Sequence, residues 1–288
     1  MNNNVIKNRY DFVYLFDVKD GNPNGDPDQA NLPRVDAENQ EGLVTDVCIK
    51  RKVRNYVGLK KAVILEDGKT IPEKGFDIFI QEGAVLNRII EKAKKEKGEN
   101  AKKSICEEYY DVRTFGAVLS TGDKDESGKK GVGIVRGPVQ FTFARSEDRI
   151  YQAEHSITRC VVTKEEDLKK ERTFGRKATV PYALYRMHGF ISAIDAQKTG
   201  FSEEDLELLW EALIHAFEHD RSAARGEMIA RKLIVFKHES HLGNARASEL
   251  FDRIVINKKV DIPRSFNDYE IIVNKDNLPQ GINIIEIL

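Results

Sequence analysis

The sequence predicts an α+β domain of βαββαβ order, the ferredoxin-like (RRM-like) arrangement, with an insertion and a projecting arm. Three observations predict it. Residues 10–18 form a nearly unbroken aromatic and β-branched run, as in a strand at the middle of a sheet. Amphipathic helical spacing appears at 45–61 and again at 202–217. Strand-like segments at 132–145, 151–162, 180–194 and 228–236 fall between and after these helices.

Taken in order, the first strand leads into residues 20–28, rich in Gly, Asn, Asp and Pro, which predicts a long loop. Thr45 is placed to cap a helix whose buried face is Ile49, Val53, Tyr56 and Val57. Lys50, Arg51 and Arg54 lie on its other side, and the reading gives them no acidic partners four residues on. Residues 62–130 read as an insertion with a Lys/Glu-rich helical run at 87–103 and a polar tip at 121–128. Residues 131–162 resume the core strands, and the charged stretch 163–177 reads as an arm between two strands. Residues 178–288 complete the domain begun by 1–61, with Ser202 to Asp205 forming a capping box before Leu206, Leu209, Leu213 and Phe217.

The 288 residues carry 46 Lys and Arg against 47 Asp and Glu, so a bulk polycation is excluded. The charges are segregated along the chain. Residues 11–41 hold eight acids and two bases, whereas 45–61 hold six bases and one acid, and 159–177 seven bases and four acids. Three scattered cysteines suggest neither disulfides nor a thiolate zinc site. Apolar runs fall short of the roughly 18–20 residues of a membrane span, and the start lacks a signal-peptide core. A cytoplasmic protein that makes no membrane contact is expected.

Several short motifs favour structural readings. His215, Glu218 and His219 spell an H-x-x-E-H string on an apolar helix, and His238 and His241 have no supporting ligands, so no metal is expected. Residues 122–130 miss the phosphate-loop spacing, and no nucleophile elbow is present. Residues 136–143 resemble an RNA-recognition box, but Pro138 and Gln140 replace its aromatics, so bases do not stack on the sheet. Phe174 beside Gly175, flanked by Arg172, Arg176 and Lys177, suits either an apolar wedge with phosphate-holding cations or a plain buried anchor for the base of the arm. The turn from Arg221 through Arg225 to Gly226 can cradle a phosphate or end a helix. Asp26 and Asp28 suit a divalent cation or plain turn chemistry.

The runs 10–27, 32–36 and 42–57, with Gly175 to Lys177, Phe217 to Met228 and Lys237 to Asn244, resemble the Cas-seven (Cas7) backbone subunits of CRISPR Cascade. The branch resembled is type I-C, the Csd-two group of the RAMP superfamily, and the likeness is weakest over 90–130. It implies a modified ferredoxin-like palm with a fingers insertion and a protruding thumb hairpin. It also implies that copies polymerise along one CRISPR RNA, beside a Cas-five type subunit and a large subunit, and present the guide for pairing with target DNA. By the same resemblance cutting is left to a recruited helicase-nuclease, so no catalytic residue and no cofactor are expected in the subunit. The RNA-binding residues implied are Lys50, Arg51, Arg54, Arg159, Arg172, Phe174, Arg176, Lys177, Arg221, Arg225 and Gly226. The alternative is a metal-dependent ribonuclease of the type III backbone kind using Asp26 or Asp28.

Overall fold

The computed structural model describes residues 4–120, 131–158, 160–162, 164–167 and 174–288. Six elements make its centre: β1 (Tyr10–Gly21), α1 (Asp46–Lys60), β2 (Ala144–Arg149), β3 (Phe174–Ile191), α2 (Glu203–His215) and β4 (Glu227–His238). Their strands order as β4-β1-β3-β2, with antiparallel pairing throughout. Ile282–Glu286 extends the sheet beside β4, and Glu41–Val44 extends it beside β2.

Residues 12–16 of β1 are apolar without a break because both faces of the sheet are covered. Phe12, Tyr14, Phe16 and Val18 pack toward α1 and α2, meeting Ile49, Val53, Leu209 and Leu213. Val13 and Leu15 point the other way, beneath Leu250, Phe251, Ile254 and Tyr269. These last come from a short helix, Ala247–Phe251, and a hairpin of Ile254–Lys258 with Tyr269–Val273. The sequence patterns place no element after residue 236. Arg186 clamps this cover to the sheet, donating to the carbonyls of Phe251 at 2.7 Å and Ile254 at 3.1 Å.

Both helices begin as expected. The Thr45 hydroxyl accepts from the Cys48 N–H, and Ser202 and Asp205 form a reciprocal capping box. α2 ends at His215, two residues short of Phe217, which is nevertheless buried in the core.

The segment after α1 has its own core of Phe79, Ile90, Ile105, Val112, Leu119 and Val135. Helices Leu86–Lys97, Ala101–Glu108 and Tyr110–Phe115 build it. Residues 121–130, which contain the loose phosphate-loop match and the polar tip, lie outside the described residues. Two buried ion pairs fasten this unit to the central helices. Arg113 makes a two-pronged contact with Asp205 at 2.8 and 3.0 Å, and Arg54 meets Asp111 at 2.7 Å.

The single strand expected at 132–145 is divided. Gly133–Arg136 pairs with Gly116–Leu119, whereas Val139–Phe141 and β2 pair with β3. Gly137 makes the break, because a Cβ there would lie 2.2–2.5 Å from the backbone of residues 114–116. β3 begins at Phe174, six residues before the expected strand, since its first part pairs with Ala153–Thr158. Gly175, Arg176 and Lys177 are therefore one side of a two-stranded ribbon that runs straight out of the sheet.

Candidate nucleic-acid interface

Four chain segments meet where β1 ends. Gly21 pairs with Val180 of β3, and Lys19 with Glu227 of β4. The Asn22 N–H donates to the Ala224 carbonyl at 2.7 Å, which seats the 221–226 turn on the end of β1. A Cβ on Gly21 would lie 2.9 Å from Val18 and 3.2 Å from that carbonyl, so glycine permits the approach. α1 starts at the same place: Thr45 donates to the Asn24 side chain at 3.0 Å through both its N–H and its hydroxyl. The ribbon of β3 leaves the sheet here, so the first turns of α1, the 221–226 turn and the ribbon share one end of the molecule.

Asp220 organises this end. It pairs with the buried Lys52 of α1 and with Arg225 Nε at 2.7 Å. Sequence reading missed both Lys52 and Asp220; the only signal was their charge, and they are 168 residues apart. Cys48 lies in the same cluster, feeling the charges of Lys52, Asp220, Arg225 and Arg51, and burial pushes its thiol up.

The expected RNA-binding residues divide into two groups. Lys50 is ion-paired with Asp46 at 2.8 Å and lies over the Phe115 ring, and Arg54 is committed to Asp111. The expectation that the α1 cations lack acidic partners is therefore wrong. Asp46, one turn before Lys50, and the distant Asp111 and Asp220 supply them, because tertiary packing brings acids to the helix that local spacing does not show.

The outward group is free to meet a ligand. The Arg51 side chain is 68% exposed and pairs with an exposed Glu82. Arg221 contacts Glu218 at 2.6 Å and the Gly226 carbonyl at 3.3 Å, both at the surface. On the ribbon, the Arg176 side chain is 84% exposed and Phe174 is 73% exposed, while Lys177 is half-buried. Exposed ion pairs of this kind hold their cations weakly, at roughly 0–1 kcal/mol, so phosphate can replace the carboxylate. Arg159 and Arg172 lie outside the described residues.

The other motifs take structural places. The Asp26 carboxylate accepts from the Asp28 N–H at 3.2 Å and pairs with Arg34 at 3.4 Å, which makes it a turn cap, and Asp28 is exposed. His215 and His219 flank the Tyr56 ring, with centroids 6.0 and 5.9 Å away. Among the described residues no group of three or more His, Cys, Asp or Glu side chains is placed to hold a metal. His238 is fully buried between Asp11 at 3.0 Å and the Asn244 N–H at 2.8 Å, where it pins the 240–244 turn. No helix among the described residues is long and apolar enough to cross a membrane.

Comparison with known proteins supplies what geometry does not. A CRISPR-associated protein Cas7 of Haloferax volcanii is 27% identical over 233 residues, covering 72% of this chain; the chain spans 64% of that relative's length. A chain from a CRISPR RNA-guided surveillance complex in a pre-nicking state matches with TM-score 0.46 and 13% identity, over 79% of this chain and 78% of its own. A chain from a type III-B Cmr-beta complex bound to cognate target RNA matches with TM-score 0.41 and 12% identity, over 79% and 61%. These two structural likenesses are too loose to carry an argument. The family model for CRISPR-associated protein Cas7, by contrast, matches residues 8–274, nearly the whole sequence, and the chain belongs to that family.

Proposed function

We propose that this chain is a non-catalytic, cytoplasmic backbone subunit that binds CRISPR RNA in a type I-C Cascade. In this reading the β1-α1-β2-β3-α2-β4 centre is a modified ferredoxin-like palm, the segment after α1 the fingers, and the ribbon the thumb. The observation that carries it is the gathering of outward Arg51, Arg221 and the ribbon's Arg176 at one end of the sheet, with Arg225 beside them on Asp220. Cations on three elements suit a chain of phosphates, which sets position without reading sequence. Bases held by their backbone stay free to pair with target DNA. The partners in this reading are further copies of the chain, a Cas-five type subunit, a large subunit and a recruited helicase-nuclease. Asp26 serves the turn and no metal is required.

The test is the RNA that co-purifies with the chain when a CRISPR array is co-expressed. Changing Arg51, Arg221 and Arg225 together to Ala should strip most of it. Each lost phosphate contact should also flatten the slope of log affinity against log salt by roughly 0.7. Full RNA retention by the triple variant defeats the reading, as does magnesium-dependent cleavage of complementary RNA by the assembled complex.

A further inference from the structure

A cavity of about 610 Å³ opens at the base of the ribbon, on the face of the sheet opposite α1. Its walls are the end of β2 with Tyr151 just beyond it, Pro181 and Tyr182 of β3, and the loop that joins the strands of the covering hairpin. A volume of this order suits one small ligand.

Several polar groups on the wall serve the fold. Asp148 accepts from the Tyr269 hydroxyl at 2.7 Å and pairs with Lys258 at 2.7 Å. Glu41 pairs with Arg145 at 3.2 Å, and the Tyr182 hydroxyl donates to Asp17 at 2.9 Å. Four side chains do not serve it in this way. Among the described residues, Glu147, Arg149, Tyr151 and Arg264 make no side-chain hydrogen bond or ion pair, although all four line the cavity. Glu147 is half-buried, and burial pushes its carboxyl up against the pull of the Arg186 charge. A carboxyl so placed without a partner costs stability and gives the fold nothing in return. Tyr151 is 72% exposed, and Arg149 and Arg264 are exposed beside it. The Arg264 backbone is nevertheless fixed, its N–H donating to Asp268 at 2.8 Å.

These idle groups ask for three features in one ligand: N–H donors for the carboxyl, a flat face for the tyrosine ring, and negative charge for the two guanidinium groups. A metal ion does not fit, since among the described residues no three acids converge on a point. A basic side chain would satisfy Glu147 but meet like charge in Arg149 and Arg264. An inorganic anion would leave Glu147 and Tyr151 idle. A nucleotide whose base carries an exocyclic amino group has all three features.

We propose that this cavity binds a free nucleoside monophosphate with an amino-bearing base, its ring against Tyr151, its amino group on Glu147 and its phosphate on Arg149 and Arg264. The site goes beyond the RNA-binding reading, because α1 and its Arg51 lie across the sheet from it.

Calorimetric titration of the full chain tests the assignment. CMP should bind at about 1 mM or tighter, and roughly tenfold more tightly than cytidine, inorganic phosphate or UMP, whose carbonyl would face the carboxylate. Glu147→Gln should bring CMP and UMP within about twofold of each other, since an amide offers the uracil carbonyl a donor. Arg149→Ala with Arg264→Ala should do the same for CMP and cytidine. Both variants should keep the thermal midpoint of the parent. CMP should stay bound when a short single-stranded RNA is added, and Arg51→Ala with Arg221→Ala and Arg225→Ala should leave its affinity unchanged. Absence of binding by CMP, AMP and GMP at that concentration overturns the proposal. Phosphate or arginine amide binding as tightly as CMP also overturns it, making the cavity an anion site or the seat of a basic side chain. So does displacement of CMP by the RNA, which would give the cavity to the strand, and so does a lowered midpoint in Glu147→Gln. CMP binding by a chain that fails to bind RNA supports this site and defeats the RNA-binding reading alone.

Discussion

His188 shows what a single side chain contributes at this scale. Burial, helped by the adjacent Arg186 guanidinium, pushes it down to about 4, and its Nε2 accepts from Arg186 Nε at 3.0 Å. The folded protein therefore holds a neutral ring where the unfolded chain, with an ordinary histidine, binds a proton. Stability from this group is complete above about pH 6.5 and is lost as pH falls toward 4. The unfolding free energy measured from pH 7 to 4.5 should drop more steeply in the parent than in His188→Gln, by an amount on the order of 1–3 kcal/mol. Neither the depression nor its cause is legible in the sequence, where His188 is one more histidine in a strand. The same holds for α1: the helix, its cap and its buried face can be read from residues 45–61, whereas the partners of Lys50, Lys52 and Arg54 cannot. Those partners arrive through packing, and Arg51 is left as the outward cation by the company its neighbours keep.

Among the elements, the ribbon is the one whose extent the sequence blurs. Its charged middle suggests an arm with ends at 163 and 177, yet β3 is continuous from Phe174 to Ile191. Charge along 174–177 conceals strand because an exposed ribbon needs no apolar alternation, only a partner for its hydrogen bonds. The described ribbon residues before Thr179 are exposed or half-buried, and Thr179 and Val180 are the first buried positions of β3. Replacing residues 157–175 with an Asn-Gly turn, so that the Ser156 and Arg176 pair closes a hairpin, should leave the core intact. The thermal midpoint is expected to stay within about 3 °C of the parent, since surface changes rarely exceed half a kcal/mol. Far less RNA should remain protected when the assembly is treated with nuclease. A large fall in midpoint would mean that the ribbon holds the sheet together.

For the molecule as a whole, the segment after α1 poses the question of independence. It has a separate apolar cluster, which by itself suggests a unit able to unfold alone. The Arg113–Asp205 and Arg54–Asp111 pairs argue against that, because both are buried and both cross the boundary. Leaving such a carboxylate without its partner costs about 3–5 kcal/mol. Calorimetry of the parent chain should therefore show one transition, and Arg113→Met should split it or lower it sharply. The coarse order of strands and helices is legible in the sequence because hydrophobic period survives at long range. The tie between the two cores is not, since Arg113 and Asp205 are 92 residues apart, Arg113 looks like ordinary surface charge and Asp205 like a helix cap alone.

The cover of Leu250, Phe251, Ile254 and Tyr269 over the outer face of the sheet has a consequence for what the protein can discriminate. An uncovered sheet of this topology offers aromatic rings as a reading table for bases, and here that table is closed. A strand gripped only by its phosphates and sugars then looks the same to the protein whatever message it bears. In the proposed role the subunit never has to be re-tailored when the message changes: one unaltered carrier serves every guide.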